Sequence, residues 1–324
     1  MYSIGKTTLD QISDLLRKRG YSFDIEEAAK QIKNKLHRVV LIVEKDAQKY
    51  VFKYLNSDNP YGKKWFDQEV KVLEKILPLE FQTNKIVERF NLPVPWMIIS
   101  YVRGIPIGNV YQIDDDILKH WGGELTDFLA SSLENLSKII DIEEVGGETL
   151  KYRQQRIEEA MEIFYNYSFF TSYRASIQKM YEKVLPMICD KNYYSFCHSD
   201  LRPVNIIIST EESASFSIID WEFSKKNLIT TDVAFIYNAT WSNPDWQKSF
   251  LNSVSSFALT PALDPLLYFQ VMFYLASDIC TIKNLISTKK NTVFHSDNLS
   301  SEYLFKLLDM YEDKFDTLMK KAAI

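Results

Sequence analysis

Apolar residues recur at helical spacing from the first turns of the chain, with Leu9, Ile12, Leu15 and Leu16 on one face. Thr8 is placed to cap this helix. Arg17-Lys18-Arg19-Gly20 is placed to end it, with basic side chains at the negative end and glycine for the reversal. A second helical or mixed stretch is expected over 24–33. The period then shortens. Residues 38–44 and 49–55 read as strands joined by the turn Lys45-Asp46-Ala47-Gln48. Helical spacing returns over 65–76, where Phe66, Val70, Leu73 and Ile76 share a face. Residues 85–91 and 95–102 read as another pair of strands. The order strand, strand, helix, strand, strand predicts a small antiparallel sheet packed on one helix.

Beyond Asp114 the pattern is mostly helical. One long helix is expected over 116–140, weakened locally by Gly122-Gly123, then a loop over 143–148 around Gly146-Gly147. Helices are expected over 150–165 and 172–189 and through most of 231–322. Short strands over 193–197, 205–209 and 216–220 interrupt them, the last two flanking a hairpin turn at Thr210-Glu211-Glu212-Ser213. A boundary near Ser100–Gly104 divides the chain into a first domain, 1–102, and a second, 103–324. There is no internal repeat and no low-complexity tract.

Composition narrows the picture slightly. The chain has 324 residues, enough for two domains with cores of their own. A net charge of −5 argues against nucleic acid as a partner, because phosphate backbones demand a basic face. The apolar stretch Leu266–Ile282 contains Gln270 and Asp278 and reads as a buried helix rather than a membrane span. Charged Lys6, Asp10 and Asp14 interrupt the N-terminal segment, so no signal peptide is read there. The three cysteines, Cys189, Cys197 and Cys280, match no metal knuckle or disulfide framework. Buried free thiols and a cytoplasmic location are expected.

The candidate chemistry lies in His198-Ser199-Asp200-Leu201-Arg202-Pro203-Val204-Asn205 and in Asp220-Trp221-Glu222. Phosphoryl transfer needs a carboxylate to accept a hydroxyl proton, oxygen ligands for Mg²⁺ and a cation on the phosphates. Asp200 fits the base. Asn205, five residues on, and Asp220, at a strand end, fit the metal ligands. Upstream, Val51 and Lys53 point to one face of a strand. Gly5-Lys6-Thr7-Thr8 imitates part of a phosphate-binding loop, but the glycine five residues earlier would precede Met1.

These motifs resemble those of the kinase superfamily, and most closely the aminoglycoside phosphotransferase and choline kinase branch. Asp-Trp-Glu stands where protein kinases have Asp-Phe-Gly. Asp232, in Thr231-Asp232-Val233-Ala234-Phe235, follows twelve residues after Asp220, too soon for a protein-kinase activation segment. The resemblance implies an α+β, two-lobed protein kinase-like fold, with a small antiparallel-sheet lobe and a larger, mainly helical lobe. It implies binding of ATP or GTP with Mg²⁺ and transfer of the γ-phosphate to a small-molecule hydroxyl. Lys53 would reach the phosphates with Glu69 as its partner, Val51 would roof the nucleotide, and Ser100, Tyr101 and Val102 would form the hinge that reads the base. Asp232 would brace the catalytic loop, and His198 would pack within it.

The chain also departs from the branch. The phosphate-covering loop is expected near Asn34–His37, which contains no glycine; Lys35 or Arg38 could supply charge there, or both could be surface charges. Arg202 stands where the branch often has histidine. It would contact the transferred phosphate or pair with Glu222. Acceptor-binding candidates are Glu222, Tyr237, Trp241 and Asp278, with Asp245 and Trp246 beside them in sequence; plain helix packing and solvated faces account for these residue types more readily. His37, His120 and His295 are isolated and read as surface or packing residues. Two alternatives remain: a nucleotide-binding pseudokinase, and a kinase acting on a protein or glycan acceptor.

Overall fold

The computed structural model describes residues 6–34, 38–55, 60–76, 81–91, 94–139, 150–210, 214–255, 264–288 and 301–322. They group into two compact units. The first comprises Met1–Ile105, Ile207–Thr210 and Ser217–Phe223, and the second Pro106–Ile206, Glu211–Phe216 and Ser224–Ile324.

The first unit contains α1 (Lys6–Lys18), β1 (Ser22–Phe23), α2 (Ile25–Asn34), β2 (Arg38–Lys45), β3 (Gln48–Leu55), α3 (Pro60–Ile76), β4 (Ile86–Phe90) and β5 (Trp96–Ser100). Its strands form an antiparallel sheet in the order β1-β2-β3-β5-β4. Thr8 lies inside α1, so it is not the cap. Gly20 ends this segment at φ +80°, with its N–H on the Arg17 carbonyl. Asp24 caps α2, accepting from the amides of Glu26 and Glu27 at 2.8 and 3.1 Å. Asp46 and Ala47 make the hairpin turn at φ 52° and 59°, the left-handed pair a two-residue connection requires.

Alternation divides this sheet. Val39, Leu41, Val43, Phe52, Tyr54, Trp96 and Ile98 point to one face, where Ile12 and Leu16 of α1 and Ala28 of α2 complete a core. Lys53 points to the other. Val40 pairs with Lys53, and Ile42 with Val51, so these residues share that second face.

The division between the units is not the contiguous one read from the sequence. Residues 217–223 join the first unit because Trp221 is fully buried there. Its ring meets Phe81 edge-on at 5.6 Å, and its Nε1 donates to Thr83 Oγ1 at 2.7 Å. The Ile218 amide donates to the Gln82 carbonyl at 3.1 Å. Three of the five places where the chain passes from one unit to the other fall within short strands: β6 (Ile105–Pro106), β8 (Ile206–Ser209) and β9 (Ser215–Ile218).

The second unit is mainly helical. It contains α4 (Asp115–Ser137), α5 (Leu150–Asn166), α6 (Arg174–Ile188), α7 (Thr231–Ala239), α8 (Pro244–Ser255), α9 (Asp264–Thr288) and α10 (Ser301–Ala322), with one antiparallel pair, β7 (Tyr194–Cys197) and β10 (Lys225–Leu228). β10 was not expected, since Lys-Lys-Asn-Leu lacks strand-forming residues; pairing with β7 imposes it. α4 runs unbroken through Gly122, whose carbonyl accepts from Trp246 Nε1 at 2.8 Å. The loop expected over 143–148 and Glu211–Ser213 lie outside the described residues.

α9 is the one described helix long and apolar enough to cross a membrane, and 67% of its apolar window is buried within the protein. Its Gln270 bonds the hydroxyls of Thr230 and Thr231 at 2.5 and 2.9 Å, as a core helix requires of a buried amide. Cys197 and Cys280 are buried and in no disulfide, whereas Cys189, just past α6, is exposed. His120 lies exposed on α4 against its own helix backbone; His37 and His295 fall outside the described residues.

Candidate functional site

In the first unit, Lys53 is held between two carboxylates. Its Nζ donates to Glu69 Oε1 at 2.5 Å and to Asp220 Oδ1 at 2.9 Å. Glu69 reaches it because α3 packs on β3, and Val70, Leu73 and Ile76 bury the adjoining helix face. Burial by itself would push the Lys53 ammonium down. Asp220 and Glu69 more than offset this, and it stands above the usual lysine value. Lys53 is therefore a fixed cation.

Asp220 does not end a strand, as the sequence suggested. It follows β9 by two residues and holds a left-handed φ of 65°. A non-glycine residue there carries strain, which the buried Trp221 beside it stabilises. Both Asp220 oxygens face Arg38, the first residue of β2. Arg38 Nη1 lies 3.5 Å from Oδ1 and Nη2 3.4 Å from Oδ2. Arg38 Nη1 also contacts Glu222 Oε2. One oxygen each of Glu69, Asp220 and Glu222 lie within 4.8 Å of one another, a set of hard donors able to hold a divalent cation.

In the second unit, residues 198–205 form a loop tied to α7. The Asp232 carboxylate accepts the amides of His198 and Ser199 at 2.7 and 2.8 Å. Ser199 has a φ of 65°, and His198 is fully buried with its Nδ1 accepting the Asp200 amide at 3.3 Å. Asp232 thus braces this loop. Burial pushes its carboxyl up to about 7, opposed by those two amide donors.

The turn Pro203–Asn205 brings Asn205 back under Asp200. Asn205 Nδ2 donates to the Asp200 carbonyl at 2.8 Å and to Asp200 Oδ2 at 3.1 Å. The amide's oxygen is its remaining acceptor. Arg202 Nε donates to Asp200 Oδ1 at 3.1 Å, and Arg202 Nη2 lies 3.5 Å from Asp278 Oδ1. Its guanidinium also sits over the Phe235 ring at 5.3 Å. Burial alone would lower Arg202, but Asp278 and Asp200 hold it above its usual value.

Of the sequence-derived residues, Lys53, Glu69, Asp220 and Glu222 come together in the first unit, and Asp200, Arg202, Asn205 and Asp278 in the second. Pairing with Glu222 was one of two roles open to Arg202; in the structure Arg202 lies against Asp278, and Arg38 contacts Glu222. Val51 shares the Lys53 face. Ser100 has its backbone engaged: its amide donates to the Lys85 carbonyl at 2.8 Å, and its carbonyl accepts from Asn84 Nδ2 at 2.7 Å. Tyr101 and Val102 follow it, half-buried.

Tyr237 and Trp241 meet edge-on at 6.1 Å, with Tyr268 at 6.4 Å from Tyr237. Burial pushes the Tyr237 hydroxyl up to about 12. Trp246 is a packing residue, stacked on Phe250 at 5.3 Å, and Asp245 is exposed in the first turn of α8. Ile42 escaped the sequence reading: it is 55% exposed on the Lys53 face beside Val51. An apolar residue on the polar phase of a strand was the signal for it.

Of the glycine-free phosphate loop expected near Asn34–His37, Asn34, the last residue of α2, is the part that the structure describes. The connection from β1 to β2 contains α2, and residues 35–37, including Lys35, lie outside the described residues.

The sequence model of the phosphotransferase enzyme family matches residues 29–265. No curated protein matches the sequence significantly. Solved structures do match in fold. The GDP and kanamycin complex of APH(2″)-IIIa superposes with a TM-score of 0.60 at 13% identity, covering 87% of this chain and 91% of that one. Choline kinase LicA from Streptococcus pneumoniae gives 0.55 at 14% identity, covering 85% and 90%. A microcompartment-associated aminopropanol kinase gives 0.55 at 14% identity, covering 92% and 97%.

Proposed function

This chain belongs to the phosphotransferase enzyme family, and from that premise we propose that it moves the γ-phosphate of ATP or GTP to a hydroxyl of a small molecule. The observation that carries this reading is the 198–205 loop. Asp232 fixes its first two amides, and Asp200, Arg202 and Asn205 are bonded to one another. Asp200 is the general base. Its second oxygen is steadied by Asn205, which orients the carboxylate without protonating it. Arg202 stabilises charge on the transferred phosphate.

Lys53 binds the nucleotide phosphates, aligned by Glu69. Val51, with Ile42 beside it, offers an apolar surface to the base, and the backbone of Tyr101 and Val102 reads its edge. Ser100 serves the sheet instead. In the first unit Asp220 offers carboxylate oxygens, and in the second Asn205 keeps an amide oxygen; each is a donor type that magnesium takes. A magnesium ion held by these oxygens would supply positive charge to neutralise the phosphates.

The acceptor is a small hydroxylated molecule, a reading supported by fold relatives that include a choline kinase, an aminopropanol kinase and a complex with kanamycin. Tyr237, Trp241 and Tyr268 supply aromatic surface for it. Asp278 and Glu222 offer less free negative charge than the sequence suggested, because Arg202 and Arg38 engage them. The helix in the β1–β2 connection favours a second reading, nucleotide binding with little turnover.

Incubating the protein with a metabolite extract and ATP decides between the two readings. Mass spectrometry should find a phosphorylated small molecule formed by the wild type and absent with Asp200→Ala. Nucleotide-induced stabilisation with no product would favour the second reading. Modification of added protein would move the acceptor to a macromolecule.

A further inference from the structure

Arg38 stands out in the first unit because it occupies the group assigned to the metal. Its guanidinium lies across both oxygens of Asp220, at 3.5 and 3.4 Å, and also contacts Glu222. The arrangement is a planar fork spanning a carboxylate, the geometry that arginine supplies and a lysine does not. The Arg38 and Asp220 side chains keep 31% and 24% of their surfaces exposed, so an incoming ligand can reach the pair.

The charges around it are informative. Glu69, Asp220 and Glu222 are three carboxylates, and Lys53 and Arg38 are two cations. Lys53 is buried and fixed, with 8% of its side chain exposed. Arg38 is therefore the cation free to leave. A divalent ion arriving alone would meet a guanidinium already seated on Asp220 and would be repelled by it. A divalent ion arriving with a polyphosphate brings the anion that can draw the guanidinium off.

We propose that Arg38 stands in for the divalent cation on Asp220 in the nucleotide-free protein, and so makes metal binding depend on nucleotide. The inference rests on the reading of Asp220 as a metal ligand. Once nucleotide is present, Arg38 transfers from Asp220 to the phosphates. This gives a positively charged side chain the task that a glycine-rich loop performs with backbone amides.

The test is Mn²⁺ binding to the full chain, followed by loss of the free-ion electron paramagnetic resonance signal, with and without ADP. The wild type should bind Mn²⁺ at least ~10-fold more tightly with ADP than without it. Arg38→Gln should bind Mn²⁺ alone ~10-fold more tightly than the wild type, shrinking that coupling. Arg38→Lys, which keeps the charge but loses the fork, should fall between them, and it carries the test should Arg38→Gln fail to fold. Equal Mn²⁺ affinity of wild type and both variants without ADP would overturn the proposal. So would loss of Mn²⁺–ADP binding in Arg38→Gln with Mn²⁺-only binding unchanged, since Arg38 would then act on phosphate alone. Asp220→Asn separates the underlying reading: if it binds Mn²⁺ and ADP like the wild type, Asp220 is not a metal ligand, whatever Arg38 does.

Discussion

Asp200 shares Arg202 with Asp278, and this sharing sets what each residue can do. Asp278 is buried, and burial raises its carboxyl against the opposing pull of Arg202. It is better placed to hold Arg202 than to receive an amine. Asp278→Ala leaves Arg202 with Asp200 as its remaining carboxylate partner. It should cost stability near the lower end of the ~3–5 kcal/mol seen when buried pairs are broken, measurable by urea denaturation. Asp200→Ala should abolish transfer while calorimetry shows nucleotide affinity essentially kept; unchanged turnover would sink the base assignment. Asp232 supplies a pH test. Its folded value of about 7 lies above its ordinary value of 3.8, so the folded state holds the proton more tightly. The stability this confers is complete below the unfolded value and is lost as pH rises towards 7. Thermal midpoints should fall across that window, and Asp232→Asn should flatten the fall.

At the scale of elements, the hydrophobic pattern anticipated most helices and the β2–β3 hairpin, because their hydrogen bonds are local and their buried faces follow the period. It missed β1 and β10, two and four residues long, which exist through pairing with distant strands. Gly122-Gly123 was read as a weakness in α4, yet its two glycines differ. A Cβ on Gly122 would come within 3.0 Å of the Trp246 ring, whereas one on Gly123 meets nothing within 4 Å. Gly122→Ala should therefore destabilise by about 1–3 kcal/mol through overpacking. Gly123→Ala should stabilise by up to about 1 kcal/mol through helix propensity. Thermal denaturation of the two variants side by side checks both signs, and a loss in both would refute the packing argument.

On the scale of the whole molecule, the phosphotransferase reading requires a ligand that binds the native chain in preference to the unfolded one. ATP or GTP with Mg²⁺ at a hundred times its dissociation constant should add about 2.7 kcal/mol of stability. A thermal shift with each nucleotide reads this directly and shows which base is preferred. Absence of a shift with either would remove the nucleotide site itself.

The sequence singles out the 198–205 loop and Asp220 because their residue types stand at the short spacing that phosphoryl transfer would need, and it places most of the helices and strands that carry them. The partners of those residues were not legible. Asp220 meets Lys53 across 167 positions, Arg202 takes Asp278 rather than Glu222, and Arg38 takes Asp220 and Glu222. Local hydrogen bonding and periodic burial are written in neighbouring residues. Which charges meet is decided where Trp221 buries and where α9 packs, and only the tertiary structure specifies that.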